Sequence, residues 1–83
     1  MSAPMKRYLR LHGESGVVAY DSGDDWIRVQ FVDGSLYTYT YASAGPIRIE
    51  QMKQLANAGQ GLSSFISHHV RDKYATRSEP DAT

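Results

Sequence analysis

Two alternating stretches meet at Asp33-Gly34, and that junction constrains the fold more than any other feature. Before it, "WIRVQF" (26–31) sends Ile27, Val29 and Phe31 to one face of a strand and Trp26, Arg28 and Gln30 to the other. After it, "LYTYTY" (36–41) places Tyr37, Tyr39 and Tyr41 two residues apart, so that they share a face. Asp-Gly between alternating segments signals a β-hairpin. Two registers are open. If Asp33-Gly34 is a two-residue type I′ turn, Gln30 opposes Tyr37, Arg28 opposes Tyr39 and Trp26 opposes Tyr41. Opposed residues share a face, so this register builds an aromatic and cationic platform suited to stacking bases. If Val32-Asp33-Gly34 is a three-residue loop with a left-handed Gly34, Val29 opposes Tyr37 and Ile27 opposes Tyr39. The tyrosines then join the apolar face. The second register sorts polarity better and is the expected one, because core patterning outweighs local turn signals.

The remaining chain supplies one more strand and two helices. "GVVAYD" (16–21) is a valine-rich run closed by "DSGDD", a strand followed by a loop. Pro46 suits a first helical turn, and Ile49, Met52, Leu55 and Ala56 recur at helical spacing until Gly59 and Gly61. A second helix follows, with Ser63 or Ser64 as its cap and a stripe of Phe65, Ile66, His69, Val70 and Lys73/Tyr74. The expected fold class is α+β: a three-stranded antiparallel β-meander followed by two C-terminal helices packed on one sheet face. Residues 1–14 read as a basic, flexible arm in which "RYLRLH" could add an edge strand. Residues 15–75 form the single domain, and 76–83 form a polar, disordered tail.

Eighty-three residues without cysteine leave a small core and no disulfide to support it. Homo-oligomerisation is one expected source of further stability. No apolar run reaches membrane-spanning length and no signal sequence is visible, so the expectation is a cytoplasmic protein with no membrane partner. The net charge of zero argues against strong non-specific DNA binding. The charges are nevertheless segregated: residues 11–34 sum to −4, whereas residues 47–77 sum to +3.

At "SGVVAYD" (15–21), "IRVQFVDGSLYTY" (27–39) and "LANAGQGLSSFISHHVRDKY" (55–74) the chain resembles the KTSC domain. This is a module of roughly 60 residues found at the C-terminus of some lysyl-tRNA synthetases and in stand-alone bacterial proteins. The spacing of Phe31, Gly34, Tyr37 and Tyr39 carries much of the likeness. Gly45-Pro46 stands where members of that family tend to have Val-Pro. The resemblance implies a nucleic-acid partner, RNA above all, through the family's attachment to a tRNA enzyme.

No catalytic constellation stands out. His68 and His69 are helix neighbours about 100° apart and cannot chelate one ion together. The loop Asp21, Ser22, Gly23, Asp24 and Asp25 lacks calcium-loop spacing. Ser63 and Ser64 near the histidines lack a third orienting residue. The sequence therefore points to a non-enzymatic binding module without cofactor, metal or small-molecule substrate. The candidate ligand is weakly bound RNA or another single strand. Arg28, Lys53, Arg71, Lys73 and Arg77 are the candidate phosphate contacts, with Trp26, Tyr37, Tyr39 and Tyr41 as candidate stacking residues. The competing expectation is a protein-interaction or self-association module that uses the open sheet face around Trp26.

Overall fold

The computed structural model describes residues 5–9 and 16–79. They form one antiparallel sheet in sequential order: β1 (Lys6–Arg7), β2 (Val17–Ser22), β3 (Trp26–Phe31), β4 (Leu36–Thr40) and β5 (Thr76–Ser78). Three helices separate β4 from β5: α1 (Tyr41–Ala44), α2 (Pro46–Ala58) and α3 (Leu62–Phe65), the last continuing as a π-helical turn over Ile66–Val70.

The β3–β4 hairpin adopts the three-residue loop. Phe31 N–H donates to the Ser35 carbonyl at 2.9 Å, and Gly34 N–H donates back to Phe31 at 2.9 Å. Gly34 has φ +90°, a left-handed conformation that a residue with a Cβ adopts only at a cost. The Asp33 carboxylate accepts from Ser35 N–H at 2.9 Å and holds the turn. Val29 therefore opposes Tyr37 and Ile27 opposes Tyr39. The type I′ register, and with it the tyrosine platform on the Trp26/Arg28 face, is excluded.

Tyr41 leaves the sheet. Thr40 and Ser43 form a reciprocal cap, each backbone N–H donating to the other's hydroxyl at 3.0 Å, so the chain turns helical at Tyr41 instead of extending the strand.

The core lies between the sheet and the helices. Val17, Tyr20, Ile27, Val29 and Tyr39 meet Ile49, Met52, Ala56, Leu62, Ile66 and Val70. In α2 the buried positions Ile49, Met52 and Ala56 follow the expected helical spacing, beginning after Pro46 at the first turn. Gly61, not a serine, precedes the following helix, and Ser63 and Ser64 lie inside it. The stripe expected beyond Val70 is cut short, because Arg71 and Asp72 form a turn and the chain returns to the sheet.

Two further strands correct the three-stranded expectation, and the helices are not C-terminal. Lys6 pairs with Tyr20 and Arg7 with Ala19. The next residue, Tyr8, is fully buried and accepts a hydrogen bond from Leu62 N–H at 3.1 Å through its hydroxyl. Residues 1–4 and 10–14 of the expected arm lie outside the described residues. At the other end, Ala75 N–H donates to the Thr38 carbonyl at 2.7 Å, and Tyr37 pairs with Arg77. Strand β5 thus begins where the sequence suggested a tail. Its residues are all exposed and polar, so it is held chiefly by backbone pairing and no alternation advertises it.

Candidate nucleic-acid interface

The helices cover only the Ile27/Val29/Tyr39 face. The opposite face follows from the register in three rows. Arg7, Ala19, Gln30, Leu36 and Ser78 run across all five strands; Asp21, Arg28, Thr38 and Thr76 come next; Trp26 and Thr40 form the last. Small and polar side chains dominate this face, and among the described residues Trp26 is its one large ring.

Trp26 is half-buried because it lies against the β2–β3 turn. A Cβ placed on Gly23 would stand 2.6 Å from the indole Cε2, so only glycine leaves room for the ring there. Gly23 N–H donates to the Trp26 carbonyl at 3.0 Å and closes the same turn. The exposed Arg28 guanidinium lies 5.6 Å from the indole centroid, and its Nε donates to Thr38 Oγ1 at 3.1 Å. The strand alternation, the cation–π contact and the threonine together hold an aromatic-cationic pair on the face opposite the helices.

A second group gathers at the hairpin end, on the helix side. Phe31 and Tyr37 meet edge to face at 5.2 Å, as do Tyr37 and Tyr74. The Arg77 guanidinium sits 5.6 Å from the Tyr37 ring centroid and pairs with Glu79 at 2.5 Å. The ionisable Tyr37 hydroxyl, then the Glu79 carboxylate, raise the Arg77 guanidinium above its ordinary pKa by their charge. Arg71 reaches the cleft between this hairpin and Ile66, whereas Lys73 is exposed in the following turn. Neither Arg71 nor Lys73 has a side-chain hydrogen bond or ion pair among the described residues. Tyr39 lies at the base of the cleft, 1% exposed. Burial, then the neighbouring Tyr37 and Tyr74, push its hydroxyl pKa upward, so it stays neutral. It is a core residue and cannot stack a ligand.

Tyr41 and Lys53 form a third group, and its charges are already satisfied. The Tyr41 hydroxyl donates to Glu50 at 2.6 Å; Lys53 Nζ lies 3.0 Å from the same carboxylate and 2.9 Å from the Asp24 carbonyl. The bond from Tyr41, then Lys53, pull the Glu50 carboxyl below its ordinary range, and the same bond raises the Tyr41 hydroxyl. This cluster ties α2 to the β2–β3 loop and leaves little free charge for a ligand.

The nine sequence candidates thus fall into three places. Trp26 and Arg28 share the open face; Tyr37, Tyr39, Arg71, Lys73 and Arg77 gather near the hairpin end; Tyr41 and Lys53 form a tie. Sequence reasoning missed Phe31, Asp33 and Tyr74 as neighbours of the second group. Phe31 and Tyr74 read as core positions, and Asp33 read only as a turn residue. Among the described residues no group of His, Asp or Glu could hold a metal ion, and no helix is long and apolar enough to cross a membrane. Comparison with protein-family models, with curated proteins and with solved structures finds no match for this chain. The likeness to the KTSC domain therefore rests on the sequence segments quoted above.

Proposed function

We propose that this protein is a small non-enzymatic binding module for single-stranded nucleic acid, RNA in particular. The observation that carries the reading is the Trp26–Arg28 pair, on a sheet face that no helix covers among the described residues. Stacking on an exposed ring tolerates any base, and a neighbouring guanidinium adds cation–π and phosphate contacts. Arg71 and Lys73 are free to take phosphates farther along the strand. The KTSC resemblance points the same way.

Docking of a protein on the same face is the competing reading. The face favours it less: apart from Trp26 and Leu36 it presents Thr, Ser, Gln, Ala and charged residues, whereas the centre of a protein interface is usually depleted of charge and rich in apolar contact.

Trp26 is the only tryptophan, so its emission reports this face alone. Titration with a mixed single-stranded RNA at low salt is expected to quench the emission saturably, and Arg28→Gln is expected to weaken the response. Emission that stays constant at millimolar strand would remove the stacking role. A change in elution volume between native protein and Trp26→Ala, without RNA, would transfer the face to self-association.

A further inference from the structure

Between the β3–β4 hairpin and the π-helical turn lies a cleft of about 380 Å³, whose lining includes Phe31, Asp33, Ser35, Tyr37, Ile66 and Arg71. Its walls are chiefly aromatic and aliphatic. Its charged groups are one carboxylate, Asp33, and one guanidinium, Arg71. We propose that this cleft takes a single guanine nucleotide unit of a bound strand, with the ring against Phe31 and Tyr37, the N1–H/N2–H edge on Asp33 and the phosphate on Arg71. The inference rests on the nucleic-acid reading above and adds a second, base-selective site on the opposite face of the sheet.

The volume lies at the lower end for ligand sites and suits one ring system rather than an extended molecule. The π-turn explains how the guanidinium comes to share the cleft. Ile66 and Arg71 are five residues apart, which in a regular α-helix would turn them about 140° away from each other. The i→i+5 spacing of a π-turn brings such residues onto one side, and turns of this kind recur at functional sites. With no competing ion pair among the described residues, Arg71 is free to receive an anion.

Asp33 supplies the selectivity. One of its oxygens accepts from Ser35 N–H, and that bond lowers the carboxyl's pKa further. An ionised carboxylate only accepts hydrogen bonds. Guanine alone among the common bases presents two adjacent donors on one edge. Adenine and cytosine would set a ring-nitrogen lone pair against the carboxylate, and uracil would flank its single N–H with two carbonyls. Phe31 and Tyr37 offer ring contact to any base, so the discrimination falls to the hydrogen bonds.

The test is an amide-resolved NMR titration of the full chain with GMP, AMP and guanosine. GMP is expected to shift Phe31, Asp33, Tyr37, Ile66 and Arg71, and to bind about fivefold or more tightly than AMP. Asp33→Asn retains an oxygen for Ser35 N–H but replaces the other with a donor, so it should abolish the preference with the turn intact. Arg71→Gln should weaken GMP and leave guanosine unchanged. A uridine strand holding one guanine should shift the same amides, and an all-uridine strand should not. The proposal is overturned if millimolar GMP leaves the cleft silent, if AMP equals GMP, if Asp33→Asn keeps the preference, or if only free GMP and never the strand reaches the cleft. Trp26 emission reports the open face and these amides report the cleft, so failure of one reading cannot pass for failure of the other.

Discussion

Gly23 offers a way to disturb the open face without altering any group proposed to touch a ligand. A methyl group there would overlap the indole. The backbone at Gly23 is not left-handed, so the substitution adds no conformational strain of that kind. The cheapest response is for the half-exposed ring to swing away from the turn and from Arg28. Gly23→Ala is therefore expected to change the tryptophan emission maximum and lower RNA affinity several-fold, with thermal stability shifted by about 1 kcal/mol or less, in the range of surface substitutions. An unaltered emission spectrum would mean that the turn yields and the indole does not. Tyr39 is the opposite case: its ring is in the core, so Tyr39→Ala would report unfolding, by about 3–5 kcal/mol on the scale of large aromatic truncations, and nothing about binding.

At the scale of elements, the hairpin was readable from the sequence because two physical signals agree. Ile27, Val29 and Phe31 need partners of like polarity, and only the three-residue loop brings Tyr37 and Tyr39 to them. The helix α2 was readable from its period and from Pro46. Strand β5 was not, because Thr76, Arg77 and Ser78 bury nothing and backbone pairing leaves no trace in side-chain pattern. Nor was the end of β4 at Thr40, which depends on a reciprocal bond with Ser43 that competes with a good strand sequence. The π-turn has no sequence signature either, and so the cleft beside it was invisible. Strand β5 has a testable purpose. It covers the backbone edge of β4, which is rich in Tyr and Thr and would otherwise be a template for pairing with another chain. Truncation after Ala75 is expected to cost about 1–3 kcal/mol, a few exposed backbone hydrogen bonds, and to produce concentration-dependent dimers on a sizing column. A truncated chain that stays monomeric at high concentration would show that the β4 edge is protected in another way.

Among the described residues the charges are spread unevenly along β3, although Asp33 and Glu79 temper the basic end. Asp24 and Asp25 sit at the Trp26 end, with Glu50 tied to Lys53 and Tyr41 nearby; Arg71, Lys73 and Arg77 sit toward the Phe31 and Tyr37 end. The two ends of β3 are about 17 Å apart, five residues of strand rise. A strand stacked on Trp26 would therefore meet repulsion from the acidic loop and attraction at the far end, and the net charge of zero supplies no general pull. Two consequences follow from counterion release. With about three phosphates neutralised, the logarithm of the binding constant should fall against the logarithm of salt concentration with a slope near −2. Replacing Asp24 and Asp25 together by Asn should tighten binding several-fold at low salt and leave the difference small at high salt, because exposed charges act only within the Debye length. Neither aspartate donates or accepts a side-chain bond that holds the fold among the described residues; Lys53 reaches the Asp24 carbonyl, which the substitution keeps. Fluorescence titrations of both proteins at several salt concentrations decide the matter. A gain of affinity that persists at high salt would mean that the substitutions reshape the loop around Trp26 instead of removing repulsion. No gain at low salt would place the strand away from this end of the sheet, on the basic end alone.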